Sequence, residues 1–322
     1  MKAIVQDAGE LHWQEVADPE IGAGEVLIQN RASAVNRADL AQVAGAYPPP
    51  PGASSILGLE CAGEVLAVGE GVTRVVPGDA VCALLSGGGY AERVAVPAGQ
   101  VLPIPSGFSY AEAAAIPEVF ATAYLNLFME ARLVPGEQVL LHAGASGVGT
   151  AAIQLCRAFG NPVFVTAGSA EKIARCVALG ASAGHSRHDG SFVQAVSDWT
   201  NGVGVDVILD PVGGAYMADN QASLALDGRL VVIGLMGGVA SELNLGLLMV
   251  KRQRVIGSTL RARSIPAKAA VMDALQARVW PLLASGEIKP IVEQVFEMPN
   301  AGQAQALIAG NETVGKVILS LE

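Results

Sequence analysis

The stretch Val139-Leu-Leu-His-Ala-Gly144-Ala-Ser-Gly147-Val-Gly149, running on as Thr150-Ala-Ala-Ile-Gln-Leu-Cys156, constrains the fold more than any other. It opens as a short apolar run, the pattern of a strand buried on both faces. Glycines follow at 144, 147 and 149, and then a small-residue segment with apolar positions at Ile153, Leu155 and Ala158 reads as a helix. Strand, glycine turn and helix is the geometry of a dinucleotide site. The glycines let the backbone approach a pyrophosphate, and the helix N-terminus offers free N–H groups and positive potential. The spacing departs from G-x-G-x-x-G, so an ordinary tight turn competes with this reading, and the surrounding pattern must decide.

That pattern favours a cofactor domain. Four further apolar runs follow, Val163–Thr166, Val205–Asp210, Arg229–Gly234 and Arg254–Leu260, with helix-like stretches such as Ala170–Leu179 and Ser191–Thr200 between them. A short strand over Ala183–Ser186 completes six. Strands alternating with helices predict an α/β chain with a doubly wound parallel sheet.

The flanks read differently. Short or alternating apolar runs recur at Ala3–Val5, Glu25–Asn30, Gly63–Val68, Ala80–Leu84 and Ala91–Val96, divided by Gly, Pro and Asp, which predicts an antiparallel, barrel-like β domain. A helix is expected over Asn36–Val43, followed by a stiff loop, Tyr47 and its proline run. Helical stretches at Ala111–Ile116 and Thr122–Phe128, broken at Pro117, form a connector. Ala267–Leu283 reads as an amphipathic helix with Val271, Leu275 and Val279 on one face, and strands at Glu293–Phe296 and Val314–Leu319 are expected to rejoin the first domain.

At 322 residues the chain is long enough for two cores, and with half its residues apolar it is not a disordered sequence. A formal net charge of −10 argues against nucleic acid or an anionic membrane as the main partner. No apolar leader or membrane span is read, so a soluble, cytoplasmic protein is expected. Cys61, Cys82, Cys156 and Cys176 are scattered without a C-x-x-C pair, so reduced, buried thiols are expected rather than a disulfide framework or zinc lobe.

Taken together, Ser33-Ala-Val-Asn36-Arg-Ala-Asp-Leu40, Leu57-Gly-Leu-Glu60-Cys-Ala-Gly63, Ala114-Ala-Ile-Pro117-Glu118, His142–Gly149, Thr166-Ala-Gly-Ser169 and Gly315-Lys316-Val317 carry a resemblance across essentially the whole length. The chain resembles the zinc-free medium-chain dehydrogenase/reductases, specifically the zeta-crystallin-like NADPH:quinone oxidoreductases. Tyr47 with its prolines and the Leu235-Met-Gly-Gly238 loop bring it closest to the tumour-suppressor-inducible quinone oxidoreductase subgroup. The resemblance implies a GroES-like catalytic domain from both chain ends (1–118 and 262–322) and a Rossmann domain of six parallel strands (119–261). It also implies homodimers that pair through the last strand of the dinucleotide domain, here Arg254–Leu260. An exposed edge strand needs such a cover.

Zinc-dependent relatives carry a Cys where this chain has Asn36 and a His where it has Leu59, so no metal is expected. His185 and His188 have no third ligand nearby in sequence and read as solvated surface residues. Without a Lewis acid, acceptors that spread charge themselves, quinones and conjugated enones, are the expected substrates. By resemblance Asn36 lies near the nicotinamide ribose, Tyr47 at the substrate mouth and Thr122 on the nicotinamide side. The structural alternatives are a helix N-cap for Asn36, a packing aromatic for Tyr47 and a backbone-bonded helix hydroxyl for Thr122. Family positions also place Gly144, Ser146, Gly147 and Val148 at the pyrophosphate. Ile233, Gly234, Leu235 and Leu260 would flank the nicotinamide, and Asn311 matches a variable polar position.

An NAD site would put a carboxylate at the end of the second strand, about twenty residues beyond the glycines. Here that strand ends in Gly168-Ser169, with Lys172 and Arg187 following, which favours the 2′-phosphate of NADPH. Arg187 stands where the family commonly has tyrosine. Plain solvated cations are the alternative for this pair. The expected function is metal-free NADPH-dependent quinone reduction. An enone or enoyl reductase acting on a conjugated C=C bond, or a cofactor-binding protein with little turnover, are the competing readings.

Overall fold

The chain is described here by a computed structural model that covers residues 1–7 and 9–322. Strands β1 (Lys2–Asp7), β2 (Glu10–Glu15), β3 (Glu25–Val35), β4 (Glu60–Val68), β5 (Ala80–Leu84), β6 (Arg93–Pro97) and β7 (Val101–Pro103) come first. They are followed by β8 (Val139–Leu141), β9 (Val163–Ala167), β10 (Ala183–Ser186), β11 (Val205–Asp210), β12 (Leu224–Val232) and β13 (Arg254–Gly257), and last by β14 (Val292–Glu297) and β15 (Lys316–Ser320). Met1–Ala121 and Leu260–Glu322 form one unit, and Thr122–Thr259 forms the other.

In the first unit the sheet runs β14-β15-β3-β4-β5-β7, with β6 paired to β3. All these pairings are antiparallel except β14 with β15. The C-terminal strand therefore does rejoin the N-terminal sheet, Val317 facing Val35 and Leu319 facing Ser33. Alternation along β3 sends Val26 and Ile28 inward to meet Val65, Val81, Val94 and Val96. The helix expected over Ala267–Leu283 is two, Ile265–Arg278 and Trp280–Ala284, with Pro281 entering at the start of the second. Pro117 likewise begins a helix, Pro117–Tyr124, rather than merely breaking one. Strand β2 was not anticipated: Glu-Leu-His-Trp-Gln-Glu is too polar to read as a core run, and it pairs only with β1.

The second unit is an all-parallel sheet in the order β10-β9-β8-β11-β12-β13. In sequence terms this is 3-2-1-4-5-6, the doubly wound order in which ligands bind beyond the carboxyl ends of the strands. Leu140, Phe164, Ile208 and Leu230 fill one face against Phe192 and Val196. Two boundaries differ from the sequence reading. β12 starts earlier, at Leu224, with a register shift against β11, and β13 stops at Gly257.

Two buried polar networks fix strand ends, one in each unit. In the first, Glu60 at the head of β4 is fully buried and its Oε1 accepts from Lys316 Nζ (2.8 Å) and Asn36 Nδ2 (2.9 Å). Asp39 lies close by in sequence, accepting from Asn36 N, Gly58 N and the Tyr90 hydroxyl. Burial pushes the Asp39 carboxyl up to about 6 against these donors. In the second unit, His142 after β8 bonds Thr166 Oγ1 through Nδ1 (2.9 Å) and Asn220 Oδ1 through Nε2 (2.7 Å). Asn220 in turn donates to Asp210 Oδ2, whose carboxylate holds the N–H groups of Val212 and Gly213. Because Asn220 offers His142 an acceptor, the ring carries its proton on Nε2, and burial lowers its pKa to about 4.

These networks have opposite acid signatures. His142 binds its proton more readily in the unfolded chain, so its contribution falls as pH drops from 6.5 toward 4. Asp39 binds its proton more readily when folded, so its contribution rises as pH drops from 6 toward 3.8. Each spans on the order of 3 kcal/mol. Urea unfolding at pH 6.5 and 4.5 should show acid destabilisation weakened in His142→Gln and deepened in Asp39→Asn; parallel pH slopes for all three proteins would contradict both assignments. Lys316→Met, which strands the Glu60 charge in the interior, should lose about 3–5 kcal/mol. A loss within experimental error would mean that Glu60 finds solvent.

Candidate active site

Asn36 stands at the N-cap position of helix Arg37–Val43, with extended backbone. Its side chain does not serve that helix. Nδ2 donates to Glu60 Oε1 and to the Ala34 carbonyl, and Oδ1 accepts from Lys316 Nζ at 2.7 Å. The cap is made in reverse, with Asp39 accepting from the Asn36 N–H at 2.8 Å. Glu60 Oε2 accepts from Glu118 N at 2.8 Å, so the start of helix Pro117–Tyr124 joins the same group. Asn36, Glu60 and Lys316 thus bond to each other where zinc ligands would be sought. Among the described residues no three His, Cys, Asp or Glu side chains are grouped to hold a metal ion.

Tyr47 lies in the loop beyond helix Arg37–Val43, half-buried, with the Arg261 guanidinium carbon 5.4 Å from its ring centre. Burial, reinforced by Glu118 and opposed by Arg261, raises the phenol pKa, so Tyr47 is a neutral hydrogen-bond donor at physiological pH. Sequence reasoning missed Arg261, which is contributed from far along the chain. Lys268 was also missed, although the sequence carried a signal for it: it sits three and seven residues before Val271 and Leu275, on the apolar stripe of its helix. Asn311, another family-matched position in this unit, has φ 55 and accepts from Arg37 Nη2 at 2.6 Å. Leu260 is buried and belongs to this unit.

In the second unit the candidate cofactor residues gather at the carboxyl ends of neighbouring strands. Ala143, in the turn after β8, takes φ 52, a strained conformation for a residue with a Cβ. Helix Gly147–Ala158 then starts, with Ser146 Oγ accepting from Gly149 N at 3.1 Å. Gly149 is required by contact: a Cβ there would lie 2.4 Å from the Gly144 carbonyl oxygen. Gly147 and Val148 occupy the first turn, where N–H groups have no acceptor within the helix, so this backbone can receive a pyrophosphate.

The ends of β9 and β10 come together. Ser169 caps helix Ala170–Leu179 by accepting from Lys172 N, and Lys172 is half-buried on its first turn. A Cβ built on Gly168 would lie 3.6 Å from the Arg187 guanidinium. An exposed arginine therefore stands over the end of the second strand, with His188 accepting from its Nε at 3.3 Å. His185, in β10, approaches the Gly190 carbonyl at 3.4 Å, so the two histidines serve different partners. Ile233 donates its N–H to the Asp210 carbonyl, which sets Ile233, Gly234 and an exposed Leu235 beyond β12 beside the loop after β11. Thr122 opens this unit, half-buried, its carbonyl accepting from Asn126 Nδ2 at 2.7 Å.

This arrangement has counterparts among known proteins. Residues 22–106 match the alcohol dehydrogenase GroES-like domain and residues 147–276 match the zinc-binding dehydrogenase domain. The chain is 32 % identical to quinone oxidoreductase-like protein 2 of Rattus norvegicus, over 96 % of this chain and 88 % of that protein. It is 35 % identical to a segment of lovastatin diketide synthase lovF from Aspergillus terreus, over 92 % of this chain but only 12 % of that protein. Among solved structures it superposes on Escherichia coli quinone oxidoreductase complexed with NADPH with a TM-score of 0.88 and 28 % identity, covering 99 % of this chain and 98 % of that one. The two domain matches, together with this similarity over most of both chains, place this chain in the medium-chain dehydrogenase/reductase family of oxidoreductases.

Proposed function

We propose that the chain is an NADPH-dependent reductase that passes hydride to quinones without a metal ion. The observation that carries the cofactor reading is Arg187 over Gly168 at the end of β9, a cation where an NAD site would have a carboxylate. Escherichia coli quinone oxidoreductase, similar over nearly the whole chain, was solved with NADPH. Bound NADPH supplies the hydride; the chain's own residues hold and orient it. Gly144, Ser146, Gly147 and Val148 take the pyrophosphate, and Gly168, Ser169, Lys172 and Arg187 take the 2′-phosphate end. Ile233, Gly234, Leu235, Leu260, Thr122 and Asn311 line the remainder, and Asn36, fixed by Glu60 and Lys316, addresses the nicotinamide ribose.

The donor set near Asn36 supports metal-free chemistry, because an ammonium already satisfies Glu60 and repels a second cation. Tyr47 then offers a neutral hydrogen bond to the acceptor oxygen, suited to a quinone that delocalises its charge. Similarity to a segment of a diketide synthase favours a second reading, reduction of a conjugated C=C bond.

The same reading includes a homodimer through β13, an edge strand whose Val255 is exposed close in sequence to exposed Leu245, Met249 and Val250. Four buried, unpaired cysteines fit a reducing, cytoplasmic setting.

Four measurements test this. NADPH oxidation against ortho-quinones, para-quinones and enones, with product analysis, should show quinones turned over fastest; enone-only turnover would establish the second reading, and none at all a binding role. Tyr47→Phe should lower kcat up to about tenfold with cofactor affinity unchanged, the loss of one neutral hydrogen bond. Arg187→Ala should raise the KM for NADPH on the order of tenfold and leave that for NADH nearly unchanged. Gly168→Asp should do the same from the other side, since its carboxylate would meet Arg187 and occupy it. Equal weakening of both cofactors in Arg187→Ala would refute the 2′-phosphate assignment.

A further inference from the structure

Behind Tyr47 the first unit holds two buried cations whose partners are all neutral. Arg261 is 3 % exposed and Lys268 is 4 % exposed. Arg261 donates through Nε to the Ser86 carbonyl (2.9 Å), through Nη1 to the Tyr47 carbonyl (3.2 Å) and through Nη2 to Gln42 Oε1 (2.7 Å). Lys268 Nζ donates to Ser86 Oγ and, at 3.4 Å, to the Arg261 carbonyl. A guanidinium has five N–H groups and an ammonium three, so both have donors to spare. Burial lowers the pKa of each, with Glu118 opposing in both cases. Asp39 is also within electrostatic reach of Arg261, yet among the described residues no carboxylate forms an ion pair with either cation.

The other two buried cations among the described residues are each paired with a carboxylate. Lys316 is paired directly with Glu60, and Arg229 meets Glu137 through two hydrogen bonds of 2.9 and 2.7 Å. The sequence holds 30 acidic and 20 basic residues, so carboxylates are not scarce. Burying a cation against neutral oxygens alone is unfavourable, and doing so twice at one place beside a phenol is stabilised only when negative charge arrives there.

We propose that Arg261 and Lys268 form a standing positive charge behind Tyr47 that stabilises an anionic oxygen on the acceptor, so that the site selects substrates whose reduction leaves negative charge on oxygen. This rests on the reductase reading above. In such a reduction the hydride brings two electrons and one proton. The quinone becomes a hydroquinone monoanion, the nicotinamide is oxidised, and one proton from solvent completes the hydroquinone. Tyr47 donates its hydrogen bond to the anionic oxygen and stays a phenol. Arg261 acts through Tyr47, whose ring and carbonyl it meets, and Lys268 acts through Ser86 and Arg261; both are positioning residues.

The probe is 4-nitrophenol, whose phenolate absorbs visibly, titrated with the intact chain in the presence of NADP+. The wild type should bind the phenolate about tenfold more tightly than the phenol, lowering the ionisation midpoint of the bound probe by about one pH unit. Lys268→Met should lose most of that shift and Lys268→Arg should keep it. With a neutral quinone, Lys268→Met should lower kcat about tenfold with KM within about twofold, while its thermal midpoint stays level or rises because an uncompensated buried charge is gone. A wild type that binds both forms equally or neither, or a Lys268→Met protein that keeps the phenolate preference, overturns the inference. Quinone turnover without phenolate preference defeats this inference alone; phenolate preference without quinone turnover defeats the quinone reading alone.

Discussion

The carboxylate of Glu60 is the group on which the first unit depends. It is fully buried, and its two oxygens are shared among an ammonium from β15, an amide from the end of β3 and the N–H that opens helix Pro117–Tyr124. Three segments far apart in sequence are thereby fixed to the head of β4. A buried charge of this kind adds little net stability compared with apolar packing, but it tolerates the loss of no partner. Its value is positional: Asn36 cannot turn toward its own helix because both ends of its amide are engaged.

Charge is handled in two contrasting ways within that unit. The Glu60 charge has its opposite, Lys316, at hydrogen-bond distance, and an amide and a backbone N–H fill its remaining bonds. Around Tyr47 two cations face carbonyl, amide and hydroxyl oxygens only. The first arrangement is complete in itself, and the second is complete only with an anion. In the other unit the distinction recurs more mildly, with Arg229 clasped by Glu137 in the interior and Arg187 left exposed at the strand ends.

Much of this was legible because the signals are local. The glycine turn, the helix over Ala170–Leu179 and the alternation of six parallel strands with helices are each written within a few consecutive residues, and the structure has all three. Errors fell where local pattern and tertiary role diverge. The run Arg254–Leu260 reads as one strand, yet it ends at Gly257, with Ser258 N donating one last bond to the Val232 carbonyl. β12 reaches back across Asp227, whose φ of 61 and register shift disguise the strand. The site networks were invisible for a different reason: Lys316 is 280 residues from Asn36 and Arg261 is 214 from Tyr47. No spacing rule reaches that far, and only a lysine on an apolar helix stripe hinted at Lys268.

The antiparallel pairing of β15 with β3 has a consequence for how the chain is made. As a ribosome delivers it, Thr122–Thr259 emerges as one continuous segment and has every strand of its sheet available before the rest is finished. The first unit has no such opportunity. Its early strands must wait, with an open edge on β3 and the Glu60 charge unmatched, until Lys316 has been added. The central segment therefore has its full set of strands first, although it comes second, while the N-terminal sheet keeps an open edge on β3 until its last strand is made.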